Sequence, residues 1–381
     1  MIRRALVCFI TFGLVACATQ PHSPPPSPAA AAKPVAPQSA DKRPAEAVPE
    51  VAASLPPVDL TPVPFETARA NFIRDTSAKY RIDPAFIEQT LAKAQIRDPI
   101  IAAMSRPAER VKPWNEYRPM FISQARIDGG RAFLAKHRDE LKRVEASTGV
   151  PAEVIVAIIG VETSYGANAG KHKVLDALYT LAFKYPRSGD PDKLEREVRR
   201  ELFFRDELAK LFVLSRDEKL DITMLQGSYA GAMGMGQFMP SSYLDFAVDG
   251  DGDGRRDLFN NLDDVFASIA NYFVKKGGWV RGGTVAVPAT LDAGREEFNP
   301  TDWTPNHLLA DLAARGYHPV VPVRAVGATA TPITLEASNG KQYWLGFQNY
   351  YAITRYNISK MYAMAVFQLS QAIAGKELPP A

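Results

Sequence analysis

The feature that most constrains the fold is a run of seven apolar or small residues, 155–161, that ends directly at Glu162. Such a run belongs inside a protein, where an unpaired carboxylate is costly. Pro151 suits the first turn of a helix and Gly166 suits its end, so the sequence predicts a buried helix carrying Glu162 near its C-terminus. We expect burial and the helix dipole to raise the pKa of Glu162, which favours the protonated form that a general acid needs. A structurally paired glutamate is the alternative.

Helical spacing of apolar residues dominates the chain from Phe65 onward. Asp83-Pro84 predicts a helix N-terminus, and the segment 122–149 predicts helices broken at Gly129-Gly130 and at Gly149. Residues 193–214 and 262–276 predict further helices, and one more helix is predicted from Tyr350 onward.

The segment 283–338 differs in composition, because Gly, Pro, Val and Thr increase there. The stretches "TVAVPA", "PVVPVRAV" and "PITLEA" are typical of strands, and "LLADLAARG" between them predicts a short helix. The sequence therefore predicts a mainly α protein (α+β) with a small β-rich insertion late in the chain.

The N-terminus is a separate segment. Arg3 and Arg4 precede a short apolar stretch that ends in Leu-Val-Ala-Cys, which resembles a bacterial lipobox. Residues 1–16 are then a lipoprotein signal peptide and Cys17 is the lipidated residue; an ordinary signal peptide that contains a cysteine is the alternative. Ala18 follows the cysteine where an aspartate is the usual inner-membrane retention signal, so we expect an outer-membrane lipoprotein that faces the periplasm.

A tether follows the cysteine. Residues 18–64 hold 13 prolines in 47 positions and no Phe, Trp or Tyr, so this stretch cannot bury enough apolar surface to fold. The only cysteines are Cys8 and Cys17, which leaves the mature chain no thiol for a disulfide, a metal or a nucleophile. Without Arg3 and Arg4 the net charge falls from +3 to +1 (43 basic minus 42 acidic), and nothing indicates nucleic-acid binding.

A glycine-rich segment, residues 227–243 ("GSYAGAMGMGQFMPSSY"), supplies small residues together with hydroxyls and an amide. Small residues allow close backbone approach, and the polar groups can bind a polyhydroxyl ligand, although a tightly packed loop would have the same composition. The pair "VETSYG" and, some 60 residues later, "GAMGMGQFMPSSY" resembles the family B lytic transglycosylases, the membrane-bound lytic murein transglycosylase B group. "NYYAITRYN" (349–357) matches a third segment of that family, and the resemblance covers about residues 65–375.

The resemblance implies a lysozyme-like core with an α lobe and a small β lobe, and cleavage of the β-1,4 bond between N-acetylmuramic acid and N-acetylglucosamine in peptidoglycan. Glu162 would be the single catalytic acid and base: it protonates the glycosidic oxygen and then deprotonates the muramic 6-hydroxyl, which attacks C1 and leaves a 1,6-anhydro end. Ordinary glycosidases pair two carboxylates. No second one is evident beside Glu162, and the 2-acetamido group could stabilise the cationic centre instead.

The same resemblance implies roles for further residues. Ser228 and Gln237 would line the sugar subsites, and Asn349 would lie near Glu162. Two tyrosines are candidates for stacking or hydrogen bonding to sugar, with core packing as the alternative: Tyr117 and Tyr272. Arg187 is a candidate contact for an acidic stem peptide, although Ser188 stands where some relatives carry a second arginine and a solvated loop charge is the alternative.

We expect the chain to divide after the lipidated cysteine and tether (17–64) into four parts: an α lobe (65–145), a lysozyme-like catalytic core (146–282), a β-rich lobe (283–340) and a C-terminal part of the core (341–378).

An acidic loop, "DGDGDGRRDLFNNLDD" (249–264), resembles an EF-hand. Asp249, Asp251 and Asp253 occupy positions 1, 3 and 5, glycine occupies position 6, and the carbonyl of Arg255 occupies position 7. Position 12 is an asparagine, so Asp263 at position 15 would close the site in a longer loop. We expect a structural Ca²⁺ here and no catalytic cofactor; an acidic turn without metal is the alternative.

Two other functions fit the same fold. One is a non-catalytic peptidoglycan-binding or scaffold lipoprotein, against which the retention of Glu162 and the intact glycine-rich segment argue. The other is a hydrolytic muramidase. Expected partners are peptidoglycan glycan strands and, through the lipid anchor, the outer membrane; cell-wall synthesis complexes are candidate partners.

Overall fold

Helices make up most of the computed structural model, which describes residues 57–105, 112–300, 302–323 and 327–379. The predicted signal peptide, Cys17 and most of the tether lie outside these ranges. All described residues belong to one unit of the chain, Ala40–Ala381. The helices are α1 (Phe65–Tyr80), α2 (Pro84–Leu91), α3 (Asp98–Ser105), α4 (Trp114–Phe121), α5 (Gln124–Lys136), α6 (Arg138–Thr148), α7 (Ala152–Thr163), α8 (Val174–Phe183), α9 (Pro191–Asp217), α10 (Pro240–Phe246), α11 (Leu262–Lys275), α12 (Leu309–Ala314), α13 (Gln348–Tyr356) and α14 (Lys360–Ile373).

Two sheets accompany these helices. The strands are β1 (His172–Lys173), β2 (Gln226–Gly227), β3 (Ala286–Leu291), β4 (His307–Leu308), β5 (Tyr317–Pro319), β6 (Thr329–Ala337) and β7 (Gly340–Gly346). β1 pairs with β2, and the other five form an antiparallel sheet in the order β4-β6-β7-β3-β5. The mainly α prediction with a small, late β-rich insertion is confirmed.

The predicted buried helix is α7, in which every residue except Glu153 is buried. It packs against α5, α6 and α14 in the main hydrophobic core. The helix ends at Thr163 and not at Gly166, because Ser164 takes the left-handed conformation and the Tyr165 N–H donates back to the Ile159 carbonyl at 3.2 Å. Within the described residues no single helix is long and apolar enough to cross a membrane; only the bent pair of α6 and α7 passes by length and composition.

The predicted helix break at Gly129-Gly130 is wrong. α5 runs through both glycines from Gln124 to Lys136, and the chain turns at His137 instead. The glycines are there for packing, since a Cβ on Gly130 would lie 2.6 Å from the Tyr165 hydroxyl and 2.6 Å from Ile373 Cδ1. The predicted break at Gly149 is confirmed, with φ of 78° after α6.

Three further details differ from the sequence prediction. Of the described part of "PVVPVRAV", residues 319–323, only Pro319 belongs to a strand. Pro322 has no N–H and so could not donate to a sheet. β7 was not predicted. This strand extends the sheet to Gly346, past the expected end of the β-rich lobe at residue 340. The helix expected from Tyr350 is two helices, α13 and α14, separated around Asn357–Ser359. The domain boundaries themselves stay predictions.

Candidate active site

Glu162 lies in the last turn of α7 with only 8% of its surface exposed. Its Oε1 accepts a hydrogen bond of 2.6 Å from the hydroxyl of Tyr362, in the first turn of α14. Burial raises the pKa of Tyr362 well above its ordinary value, and Glu162 raises it further when its carboxyl group is ionised. Tyr362 therefore stays neutral and keeps donating to the glutamate.

Tyr117 is the aromatic neighbour of this pair. It lies on α4, stacks on Trp114 with ring centroids 6.2 Å apart, and lies 5.0 Å from the Phe121 ring centroid. Burial raises the pKa of its hydroxyl, and the charge of Glu162 is the second cause. α4 packs against α14, the helix that carries Tyr362, and α14 packs against α7.

The two sequence motifs are joined by hydrogen bonds. The Thr163 hydroxyl, next to Glu162, donates to the Met235 carbonyl of the glycine-rich segment at 3.2 Å. The Gln237 amide donates to the Ala169 carbonyl at 3.0 Å, which ties the segment to the loop after α7. The Tyr356 hydroxyl adds a bond of 2.6 Å to the Gly236 carbonyl. The glycine-rich segment is therefore fixed beside the residue that follows Glu162.

Glycine is required inside that segment for close approach. Gly234 has φ of 72°, and a Cβ there would lie 2.6 Å from the carbonyl oxygen of Leu258. The polar side chains predicted to line the sugar subsites also shape the loop itself: Ser228 Oγ accepts from the Ala232 N–H at 3.0 Å, and Gln237, whose φ is 53°, donates a second time to Gly234. Their contact with sugar stays a prediction.

Asn349 and Tyr272 have structural partners. Asn349 is buried, and its amide donates to the carbonyls of Val280 and Gly283 and accepts from the Val280 N–H, each at 2.8 Å. Tyr272 donates to the Arg355 carbonyl at 2.6 Å within an aromatic cluster. The proposed positions of both residues against the substrate stay predictions.

Arg187 is ion-paired in the structure. Its guanidinium lies 2.5 Å from Glu201 on α9 and donates to the Glu197 carbonyl at 3.2 Å. The pair is partly exposed, so a competing carboxylate from solvent can reach it; its role with a stem peptide stays a prediction.

The acidic loop brings three carboxylates together. One oxygen from each of Asp249, Asp251 and Asp253 lies within 4.8 Å of the others. Oxygen atoms around one Ca²⁺, each about 2.3–2.6 Å from the ion, have separations of this size, so the cluster fits the cation. Asp263 lies outside this group; its carboxylate pairs with Arg143 at 2.9 Å.

Sequence reasoning missed an acidic residue that holds this loop. Asp264 is fully buried and accepts from the N–H of Gly250 at 2.7 Å and of Asp257 at 2.6 Å. It therefore ties the start of the loop to its end. The only hint of this role in the sequence was that a second aspartate directly follows Asp263.

Two residues at the centre of the site were also missed: Tyr362 and Arg126. Tyr362 occupies a helical position among apolar residues and resembles core. Its hydroxyl was the only signal, because a buried tyrosine normally needs a hydrogen-bond partner. Arg126 lies on α5 and donates to the Gly160 carbonyl at 2.8 Å, two residues before Glu162, and no local pattern indicates that contact.

Comparisons with known proteins agree with this geometry. The family described as "Transglycosylase SLT domain" matches residues 64–371. The membrane-bound lytic murein transglycosylase B of Escherichia coli is 40% identical over 312 residues, which cover 80% of this chain and 81% of the relative.

Two solved structures of bacterial enzymes are also similar. The first is the Escherichia coli lytic transglycosylase Slt35 in complex with calcium, with a TM-score of 0.70 and 40% identity over 81% of this chain and 92% of its own. The second is SltB3 from Pseudomonas aeruginosa in complex with NAG-NAM-pentapeptide, with a TM-score of 0.69 and 30% identity over 82% of this chain and 80% of its own.

Proposed function

This chain belongs to the SLT-domain transglycosylases and is a peptidoglycan lytic transglycosylase, and from that premise we propose that Glu162 is its single general acid and base. One observation carries the proposal: a nearly buried carboxyl group, hydrogen-bonded by Tyr362, lies beside the glycine-rich segment. Burial in an apolar surrounding disfavours a carboxylate and favours the protonated acid that begins the reaction.

The proposed reaction uses one carboxyl group twice, first as an acid and then as a base. Glu162 gives its proton to the glycosidic oxygen as the bond between that oxygen and C1 of the muramic sugar breaks. The resulting carboxylate takes the proton of the muramic 6-hydroxyl, whose oxygen forms the new bond to C1. The products are a free 4-hydroxyl on one strand and a 1,6-anhydro end on the other. Glu162 is protonated again, and no water is consumed.

Replacing the acid tests this role. We expect Glu162→Gln to release no fragments from purified sacculi while it still folds and binds them, because glutamine keeps the shape and lacks the transferable proton. The loss should exceed the ~10²–10⁴-fold typical of general acid–base catalysis, since one group performs both proton transfers. Glu153→Gln, at the other end of α7, is the matched control and should retain activity.

Mass spectrometry of the released fragments separates the alternatives. Anhydro products are lighter by one water than the products of a hydrolytic muramidase, and a scaffold lipoprotein releases no fragment at all. Turnover by Glu162→Gln close to that of the parent enzyme would rule out the proposed acid.

The finer substrate contacts belong to the same proposal: Ser228, Gln237, Tyr117, Tyr272 and Asn349 border the glycan, and Arg187 contacts the stem peptide. The glycan–pentapeptide fragment bound by SltB3 supports a site that takes both parts. Arg187→Met should raise KM for peptide-bearing strands and leave KM for peptide-free strands unchanged. An equal effect on both substrates would argue against a peptide contact.

A structural Ca²⁺ is proposed for the acidic loop, held by Asp249, Asp251 and Asp253, the Arg255 carbonyl and Asp263 as the closing ligand. The clustered carboxylate oxygens and the calcium bound by Slt35 support it. Asp263 would have to leave Arg143 to close the site. The proposed chemistry at Glu162 needs no metal.

Anchoring by lipidated Cys17 at the outer membrane is proposed from the lipobox-like sequence, and the name of the membrane-bound relative supports membrane association. Cys17→Ser should appear in the soluble periplasmic fraction. Recovery of that variant with the membranes after a salt wash would contradict the anchor. Cell-wall synthesis complexes stay candidate partners.

A further inference from the structure

Arg126 contacts both sides of the turn that carries Glu162. It lies on α5, and its Nη1 donates to the Gly160 carbonyl at 2.8 Å while its Nη2 donates to the Ser164 hydroxyl at 3.3 Å. Gly160 and Ser164 stand two residues before and two residues after Glu162. The guanidinium also lies 5.7 Å from the centroid of the Phe121 ring, on the helix that carries Tyr117.

Tyr165 fastens Arg126 from the other side. Its hydroxyl donates to the Arg126 carbonyl at 2.6 Å. Its ring packs in a slot formed by three glycines, Gly129, Gly130 and Gly160. A Cβ on any of these glycines would lie 3.0 Å or less from the ring or its hydroxyl. The slot therefore joins α5 to the end of α7.

The backbone after Glu162 is held in an unfavourable conformation. Ser164 and Tyr165 have φ of 49° and 63°, in the left-handed region that is unfavourable for residues other than glycine. Such a conformation persists only where the surroundings fix it. Here the bonds of Arg126 and Tyr165 do so, and they fix it two residues beyond Glu162.

We propose that Arg126 is a positioning residue for the transglycosylase reaction. By holding Gly160 and Ser164, it keeps the last turn of α7 in place and so keeps the Glu162 carboxyl group within hydrogen-bond reach of Tyr362 and of the glycosidic oxygen. This inference rests on the proposed role of Glu162. It predicts a loss in kcat, because a misplaced acid transfers its proton poorly, and little change in the binding of the glycan.

The same helix offers a matched control. Arg131 on α5 donates from Nε and Nη2 to the Ala372 carbonyl, at 3.2 and 2.8 Å, near the C-terminal end of α14. This is the same kind of contact, from an arginine to the end of a neighbouring helix. Ala372 lies ten residues beyond Tyr362, about 15 Å along α14 at 1.5 Å per residue.

The experiment compares Arg126→Met with Arg131→Met on purified sacculi and soluble glycan strands. Both should lower the melting temperature to a similar degree. Arg126→Met should lower kcat by roughly 10–100-fold with KM unchanged, the size expected when a catalytic group is displaced by about 1 Å. Arg131→Met should keep the parent kcat. Arg126→Lys, which keeps the charge and one donor, should recover part of the loss.

Three results would overturn the inference: a parent-like kcat for Arg126→Met, an equal loss of kcat for both methionine variants, or a change confined to KM. If Arg126→Met does not fold, Arg126→Lys and Tyr165→Phe replace it, and both must lower kcat. Glu162→Gln separates the two proposals. An inactive Glu162→Gln beside a fully active Arg126→Met removes only the positioning role, whereas an active Glu162→Gln removes the role of the acid itself.

Discussion

The hydroxyl of Tyr362 points at the one carboxyl group on which the proposed chemistry depends. A hydrogen bond donated to Glu162 stabilises the carboxylate that forms after the first proton transfer and fixes the carboxyl plane before it. Because burial raises the pKa of Tyr362 well above its ordinary value, the phenol remains a donor near neutral pH. A second carboxylate could not do this, since two neighbouring negative charges repel each other.

Tyr362→Phe should therefore lower kcat by about 10–100-fold, because a hydrogen bond to a charged group contributes roughly 1.5–3 kcal/mol. The measurement is initial rates of fragment release, together with thermal melting. Tyr350→Phe is the control: Tyr350 is equally buried, and its hydroxyl donates to the Lys360 carbonyl at 2.7 Å instead of to Glu162. Both variants should lose stability, and only Tyr362→Phe should lose kcat. Equal rates in the two variants would contradict this.

At the scale of helices, α5 and α7 approach closely because glycine lines their contact on both sides. Gly160 on α7 faces the ring of Tyr165, and Gly129 and Gly130 on α5 face the same ring. Glycine in a helix is about 1 kcal/mol less favourable than alanine, so these positions lower helix stability and improve packing at the end of α7.

Gly160→Ala should destabilise the protein by about 1–3 kcal/mol, the usual range for overpacking, although alanine is the better helix former. Its Cβ would lie 2.7 Å from the Tyr165 hydroxyl and 2.8 Å from the ring. Denaturant unfolding measures the change. In the double variant with Tyr165→Ala the penalty of Gly160→Ala should largely disappear, since the clash then has no partner. A Gly160→Ala protein as stable as the parent would contradict the close packing of Gly160 against Tyr165.

Local pattern predicts the elements and misses their contacts. Apolar spacing predicted α9 and α11, the Asp83 cap predicted the start of α2, and the run before Glu162 predicted α7, because these signals lie within a few residues of each other. The glycines of α5 were misread as a break, since their neighbour Tyr165 lies outside the element. β7 could have been found: Ser338 and Asn339 link β6 to β7, and Gly340 follows them with φ of 111°, so the sequence carries a turn signal with glycine directly after a strand-like stretch.

At the scale of the whole molecule, the site joins parts of the chain that are far apart in sequence. Glu162 and Tyr362 are 200 residues apart, and α14, which carries Tyr362, packs against both α7 and α4. The motifs predicted Glu162 and the glycine-rich segment, because each is a contiguous stretch. They could not predict Tyr362 or Arg126, whose importance arises only from long-range packing.

The acidic loop is connected to the catalytic helix through its neighbours. Asp263 pairs with Arg143 on α6, and α11, which follows the loop, packs on the same helix. After α11, Trp279 donates to the Gly149 carbonyl at 3.0 Å and Arg281 donates to carbonyls at the end of α6. The acidic loop and the residues after α11 therefore support the turn between α6 and α7, called here the α6–α7 corner. This turn lies at the start of α7, whereas Glu162 lies near its end.

Calcium should consequently stabilise the fold and leave the chemistry unchanged. If it binds only the folded protein, it contributes about 2.7 kcal/mol at a hundredfold excess over Kd, which should appear as a higher Tm. Asp251→Ala should abolish that rise, because it removes one of the three clustered carboxylates. Asp245→Ala, an exposed acidic residue outside the cluster, is the control and should keep the rise.

Without the cation, the three carboxylates repel one another, so Asp251→Ala should melt no lower than the parent protein in chelator. The rate per folded molecule should be the same with and without calcium, since Glu162 and Tyr362 act without it. A calcium-depleted, folded and inactive enzyme would show that the metal does more than support the α6–α7 corner. An unchanged melting curve at millimolar calcium, starting from metal-free protein, would instead show that the acidic loop does not bind calcium.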